Sequence, residues 1–354
     1  MNILLKGYLD RNFGDDIMLR IVAHQLGHHT FYICERKKEL LLPFKDVPNV
    51  KDADNYPNIQ FDACLRVTGS GFLIRSKMGI LDTIFRLIRM KRSHKNSSNP
   101  GLAVINCNIG PFVNGFAEWV TKLELKRYEY ISTRDQFSKR KLNNMFPTKS
   151  FRAYPDIVFS IPDEWLPPLT GENCLGISVY RQLFESNLEC YKALAQIADQ
   201  YIETTQNKVL LFAFDMESEN DLASAFTIET LCKHKESIEI IAHNDDGDHI
   251  IRHFARCGKI LGVRCHSSIL AMRMGIPFVP IIYSNKTEHI FDDIGYNFNR
   301  FYWNQLDVKE LVQAIDGATP FYVDKNIFEL AKNHTRYFEE YIGSKGVHSK
   351  SNRK

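Results

Sequence analysis

Three segments of the 354-residue chain set charged or acid–base side chains just after short apolar runs. The richest is Gly262-Val-Arg-Cys-His-Ser-Ser-Ile-Leu-Ala-Met-Arg-Met-Gly275. Arg264 and His266 stand two residues apart after a predicted strand, so their side chains can share one face. A helix follows at once, with Ile269, Leu270, Met272 and Met274 as its apolar set. Its N-terminus offers backbone N–H groups and the positive end of the helix dipole. Arg, His and a helix start together make an anion site with a proton donor beside it. A histidine held for structure alone is the competing reading. Lys286 follows the next predicted strand, Pro277–Ile282, and so reaches the same sheet edge.

The second segment is Gly7-Tyr-Leu-Asp-Arg-Asn-Phe-Gly-Asp-Asp16, a strand end passing into a helix. In a parallel sheet that is the carboxyl edge, where ligands bind. Gly7 and Gly14 allow a sharp turn and a close approach. Asp15 and Asp16 are either helix caps or acid–base groups. The segment is not a Gly-x-Gly-x-x-Gly fingerprint, and no Gly-Lys-[Ser/Thr] phosphate loop occurs. The third segment is Ser132-Thr-Arg-Asp-Gln-Phe-Ser138. Its Arg134 either grips a carboxylate or phosphate with two parallel hydrogen bonds or pairs with an acid such as Asp135.

Two weaker features remain. Arg86–Lys95 carries Arg86, Arg89, Lys91, Arg92 and Lys95 among Leu87, Ile88 and Met90, with no acid. It reads as a helix resting on an anionic membrane, or as a solvated helix face running into a loop at Ser93–Gly101. Asn244-Asp-Asp-Gly-Asp248 lacks the spacing of a calcium loop and reads as a turn with Asp248 capping a helix. No cluster of metal ligands is visible. The eight cysteines form no Cys-x-x-Cys pair, and several sit in apolar runs.

The elements that must position these residues alternate. Apolar runs at Asn2–Leu5, Phe31–Cys34, Ala63–Val67, Leu102–Asn106 and Tyr130–Thr133 are interleaved with helical patterns. Leu175–Val179, Lys208–Phe214, Glu239–Ala242, Lys259–Val263 and Pro277–Ile282 repeat the habit. Such alternation predicts parallel sheets covered by helices on both faces. Pro155, Pro162, Pro167, Pro168 and Gly171 interrupt the chain between the two series. The reading is therefore α/β, with two doubly wound domains at 1–160 and 161–342 and a disordered basic tail at 343–354. The helical spacing at Asn326–Tyr341 allows a return onto the first domain.

A net charge of +3 is too even for a dedicated nucleic-acid binder. No stretch reaches the roughly 18 apolar residues of a membrane span. The start, Met1–Gly7, reads as a buried strand rather than a signal peptide, which predicts a cytoplasmic protein.

Taken in order, these segments resemble the polysaccharide pyruvyl transferases. The matching residues are Gly7 with Asn12-Phe-Gly-Asp-Asp16, the turn Gly69–Gly71, Ile109-Gly-Pro111, Ser132-Thr-Arg-Asp with Ser138, Pro155-Asp156, Gly262–Gly275 with Pro277, and Tyr283 with Lys286. The sequence departs from the family pattern in Gly-Ser-Gly at the turn and in Cys265. The resemblance implies two Rossmann-like lobes facing a cleft, similar to GT-B type glycosyltransferases. It implies transfer of the enolpyruvyl unit of phosphoenolpyruvate to a sugar of a cell-surface polysaccharide or its lipid-linked precursor, giving a pyruvate ketal and phosphate. Arg134, His266 and Lys286 would hold phosphoenolpyruvate, with Arg264 beside them. His266, Arg134 and Asp16 would be catalytic. Asn12, Gly14 and Asp15 would meet the acceptor, as would an aromatic loop at Phe112–Trp119. No metal or cofactor is demanded, because side-chain cations can stabilise the leaving phosphate. The alternatives are a glycosyltransferase using a nucleotide sugar in the same cleft, and a non-catalytic polysaccharide- or membrane-associated subunit; a cytoplasmic place at the inner face of the membrane fits the basic segment.

Overall fold

The computed structural model describes residues 1–74, 76–93, 101–181, 188–244 and 246–351. The loop expected at Ser93–Gly101 therefore lies almost wholly outside the described residues.

The first nine strands are β1 (Asn2–Lys6), β2 (Thr30–Ile33), β3 (Val50–Asp52), β4 (Ala63–Val67), β5 (Phe72–Ile74), β6 (Gly101–Cys107), β7 (Ile109–Phe112), β8 (Tyr130–Thr133) and β9 (Arg152–Ala153). The helices among them are α1 (Phe13–Gln25), α2 (Lys77–Ser93), α3 (Gly115–Leu125) and α4 (Gln136–Met145). Seven strands form one parallel sheet in the order β3-β2-β1-β4-β6-β8-β9, and β5 pairs with β7 separately. β6 is buried along its whole length, as its apolar run on both faces requires.

The second series is β10 (Cys174–Ser178), α5 (Leu188–Thr205), β11 (Val209–Ala213), α6 (Asp221–Leu231), β12 (Ile238–Ala242), α7 (His249–Phe254), β13 (Cys257–Gly262), α8 (Cys265–Met274), β14 (Phe278–Ile282), α9 (Asn285–Asp293), β15 (Phe301–Tyr302) and α10 (Val308–Asp316). Its six strands are all parallel, in the order β12-β11-β10-β13-β14-β15. Both sheets thus follow the 3-2-1-4-5-6 order of dinucleotide-binding domains, the first with one strand more. Two short-range signals set α8. Gly275, at φ +66°, gives the left-handed C-terminal cap, and Ile276 N–H closes back onto the Ala271 carbonyl at 2.9 Å.

The chain divides into two compact units. One comprises Met1–Tyr8, Met18–Ser160 and Phe328–Lys354; the other comprises Leu9–Ile17 and Ile161–Ile327. The break at Ser160 falls in the proline-interrupted stretch, but two segments differ from the sequence expectation. Leu9–Ile17 belongs with the second unit, because Phe13 N–H donates to the Phe214 carbonyl at 2.9 Å and the two rings meet edge-on at 5.0 Å. The end of the chain is not a disordered tail from Gly343. After α11 (Lys325–Ala331), α12 (Asn333–Ser351) carries it as helix to Ser351, and Tyr341 stacks on Tyr130 at 5.7 Å. A buried, apolar Phe338 and Ile342 explain why that helix stays on the first unit.

Candidate active site

In a doubly wound sheet, ligands bind outside the carboxyl ends of the strands where the order reverses. In the second unit that point lies between β10 and β13. Ser178, the last residue of β10, accepts hydrogen bonds from Val263 N–H at 2.9 Å and Arg264 N–H at 3.1 Å. This pins the turn that carries Arg264 and His266 against the switch point.

Arg264 is buried, and its guanidinium is already engaged. Its Nη2 donates to both oxygens of Asp221 at 2.6 and 2.5 Å, its Nε to Asp221 at 3.0 Å, and its Nη1 to Glu219. Burial opposes its charge, but Asp221 and Glu219 together hold it above the ordinary arginine value. Two carboxylates on one arginine leave a net negative cluster, so Arg264 is poorly suited to hold a further anion. Burial pushes the Asp221 carboxyl up, and Arg264 opposes that shift.

From Arg264 an aromatic path leads to Lys286. The guanidinium lies 4.2 Å from the centre of the Tyr180 ring. Tyr180 meets Tyr283 at 4.4 Å, and the Lys286 ammonium is 5.7 Å from the Tyr283 ring. Lys286 sits in the first turn of α9 and is half-buried. Cations over ring faces gain modestly from such contacts and stay placed.

His266, in the first turn of α8, packs on the Gly14 backbone. A Cβ added at Gly14 would stand 2.0 Å from His266 Nδ1, so only glycine fits there. Neither Asp15 nor Asp16 caps α1. Asn12 does so, its Oδ1 accepting from Gly14 N–H at 3.0 Å and Asp15 N–H at 3.4 Å, while its Nδ2 donates to Asp215 at 3.0 Å. Asp215 is buried, and desolvation raises its carboxyl. Asp16 stands in the first turn of α1. It bonds His243 Nε2 at 2.8 Å, and both side chains are almost fully buried. Sequence reasoning missed His243. The available signal was its place directly after the apolar strand β12, at the same carboxyl edge as the rest.

Arg134 belongs to the first unit. It is buried, and its Nη1 donates to Asp156 at 2.9 Å. Gly69 closes over it: a Cβ there would lie 2.6 Å from Nη1. Asp135 caps α4, accepting from Ser138 N–H at 2.6 Å, so of the acids open to Arg134 the structure uses Asp156. His334 of α12 ties the two strand ends together, meeting Ser132 Oγ at 2.7 Å and the Pro155 carbonyl at 3.1 Å. Burial pushes His334 down to about 4, so it is neutral at physiological pH. It was also missed, because α12 is remote in sequence.

The predicted residues therefore sort by unit. Asn12, Gly14, Asp15, Asp16, Arg264, His266 and Lys286 lie in the second; Arg134 lies in the first. Phe112–Trp119 is not a loop throughout, since Asn114 caps α3 and Phe116 and Trp119 stand on its first turns. Asp248 precedes α7 without a side-chain cap bond. Among the described residues, His28, His29 and Glu339 bring potential metal-ligand atoms within 4.8 Å of one another, and all three belong to the first unit. That grouping spans the length of the chain, which is why spacing did not reveal it.

A family model described as polysaccharide pyruvyl transferase matches residues 12–285. No curated protein matches the sequence. Among solved structures, the UDP-GlcNAc 2-epimerase from Neisseria meningitidis bound to UDP-GlcNAc aligns over 97% of this chain and 100% of its own, with a TM-score of 0.62 at 10% identity. The UDP-GlcNAc 2-epimerase from Methanocaldococcus jannaschii aligns over 96% of this chain and 100% of its own, with a TM-score of 0.58 at 9% identity. At such identity the likeness shows the fold, two Rossmann-like units of the GT-B type, and nothing of the substrate.

Proposed function

Because the chain belongs to the polysaccharide pyruvyl transferase family, we propose that it transfers the pyruvyl unit of phosphoenolpyruvate to two hydroxyls of a saccharide acceptor. The methylene carbon of the donor gains a proton, and C2 becomes oxocarbenium-like. One sugar hydroxyl adds to C2, phosphate departs with the C–O electron pair, and the second hydroxyl closes the ketal. Both hydroxyl protons must be taken up.

The observation that carries this reading is His266 seated on Gly14 at the switch point of β10 and β13. An imidazole titrates in the range needed to protonate the enol methylene. Lys286, placed by Tyr283, binds the donor's phosphate or carboxylate. Arg264 becomes a positioning residue: it fastens the turn before His266 to α6. The Asp16–His243 pair is the base, with Asp16 accepting a hydroxyl proton and His243 sharing it. Gly14 lies against His266, and in this reading it serves the acceptor together with its neighbours Asn12 and Asp15. The donor is a cytoplasmic metabolite, which suits a cytoplasmic enzyme. No metal or cofactor enters the scheme.

Incubation with phosphoenolpyruvate and a panel of saccharides, lipid-linked ones included, should release phosphate and add one pyruvyl group to an acceptor. Stabilisation by a nucleoside diphosphate but not by phosphoenolpyruvate, with no phosphate released, would overturn the reading in favour of nucleotide-sugar chemistry.

A further inference from the structure

Helix α2 is apolar on two faces. Ile80, Ile84 and Leu87 pack with Ala117 and Val120 of α3, as one stripe of an ordinary amphipathic helix does. The other face carries Met78, Leu81, Phe85 and Ile88, spaced three, four and three residues apart, and these are 66, 48, 61 and 43% exposed. Single exposed apolar residues are common, but a run of four along one helical stripe marks an interaction surface. Helix α3 adds Phe116 and Trp119, 52 and 54% exposed, with rings stacked at 5.6 Å.

Charge indicates what covers the stripe. α2 holds Lys77, Arg86, Arg89, Lys91 and Arg92 against Asp82; Arg86 is paired with the buried Glu124 of α3, and the other four still leave a surplus as large as the +3 of the whole chain. A second copy of the chain would bring the same positive charge to the contact. An anionic bilayer answers both features, with hydrocarbon for the stripe and phosphate headgroups for Lys and Arg. We propose that α2, with the start of α3, docks the protein on an anionic lipid surface, lying in the interface plane. None of the helices of the described residues is long and apolar enough to cross a membrane, so the attachment is peripheral. This docking surface stands independently of the transfer reaction.

Co-sedimentation with phosphatidylcholine vesicles, with and without phosphatidylglycerol, tests it. The full chain should sediment with the anionic vesicles, less so at high salt, and should remain in solution with phosphatidylcholine alone. Trp119 emission should shift to the blue on binding, and Trp119→Phe should remove most of that shift. Combined Met78→Ser, Leu81→Ser, Phe85→Ser and Ile88→Ser should lower partitioning by about tenfold or more. The single Phe85→Ser, with its thermal melt checked against the parent, repeats the test at smaller amplitude should the combined variant not fold. Failure to sediment with anionic vesicles at low salt overturns the proposal. So does undiminished sedimentation of both variants, or a dimer that the stripe variant dissolves while vesicle binding is absent.

Discussion

The first sheet runs β3-β2-β1-β4-β6-β8-β9 and the second runs β12-β11-β10-β13-β14-β15, so both reverse direction after their first strand. Each also buries an arginine that follows a strand. The carboxyl edges nevertheless differ. In the first unit, Arg134 meets Asp156, Asp135 caps a helix, and a neutral His334 bolts two strand ends together. In the second, Arg264 is fastened by Asp221 and Glu219, and the same unit carries His266, Lys286 and the Asp16–His243 pair. One fold thus supports two kinds of edge. The position of a charged residue after a strand does not distinguish a ligand-binding group from a structural one; its partners do.

The comparison breaks most sharply at His266. His266→Ala should reduce phosphoenolpyruvate-dependent turnover by about 10²–10⁴-fold while denaturant unfolding stays within about 1 kcal/mol of the parent. Unchanged turnover would remove the chemical role from the second unit's edge.

Arg264→Ala should show the opposite balance. Removing the guanidinium leaves Asp221 and Glu219 uncompensated, a loss of about 3–5 kcal/mol of stability by urea unfolding. If stability were kept and only donor affinity fell, Arg264 would be a ligand after all.

His334 gives the first unit a pH dependence. Its ordinary value is 6.5, pushed down to about 4 by burial. Above pH 6.5 neither state binds the proton. As pH falls from 6.5, the unfolded chain takes up a proton that the folded state refuses. Stability should fall by about 1.4 kcal/mol per pH unit, roughly 3 kcal/mol in all by pH 4. Unfolding curves across that range, with His334→Gln flattening the slope, measure it.

Smaller effects complete the series. Gly69→Ala should cost about 1–3 kcal/mol, because its Cβ would press on the Arg134 guanidinium. Lys286→Ala should change stability by less than about 0.5 kcal/mol and weaken donor binding by about tenfold, read by calorimetric titration.

Much of this was legible in sequence. Strand and helix runs predicted two parallel α/β blocks, because burial on both faces writes a continuous apolar run into each strand. The proline-interrupted stretch holds the break at Ser160. His266 and Lys286 stood out because each follows a strand. His243 and His334 did not, since their partners Asp16 and Ser132 lie 227 and 202 residues away.

What the sequence determined by itself was local: periodicity, caps, turns, and the chemistry available at each strand end, all set by neighbours a few residues apart. The tertiary structure decided the partners. It assigned Leu9–Ile17 to the second unit through a backbone bond to Phe214, turned the expected tail into a helix on the first, and gave Arg264 two carboxylates. Whether a buried charge is neutralised depends on groups brought within a few ångströms by packing, and no spacing along the chain encodes that distance.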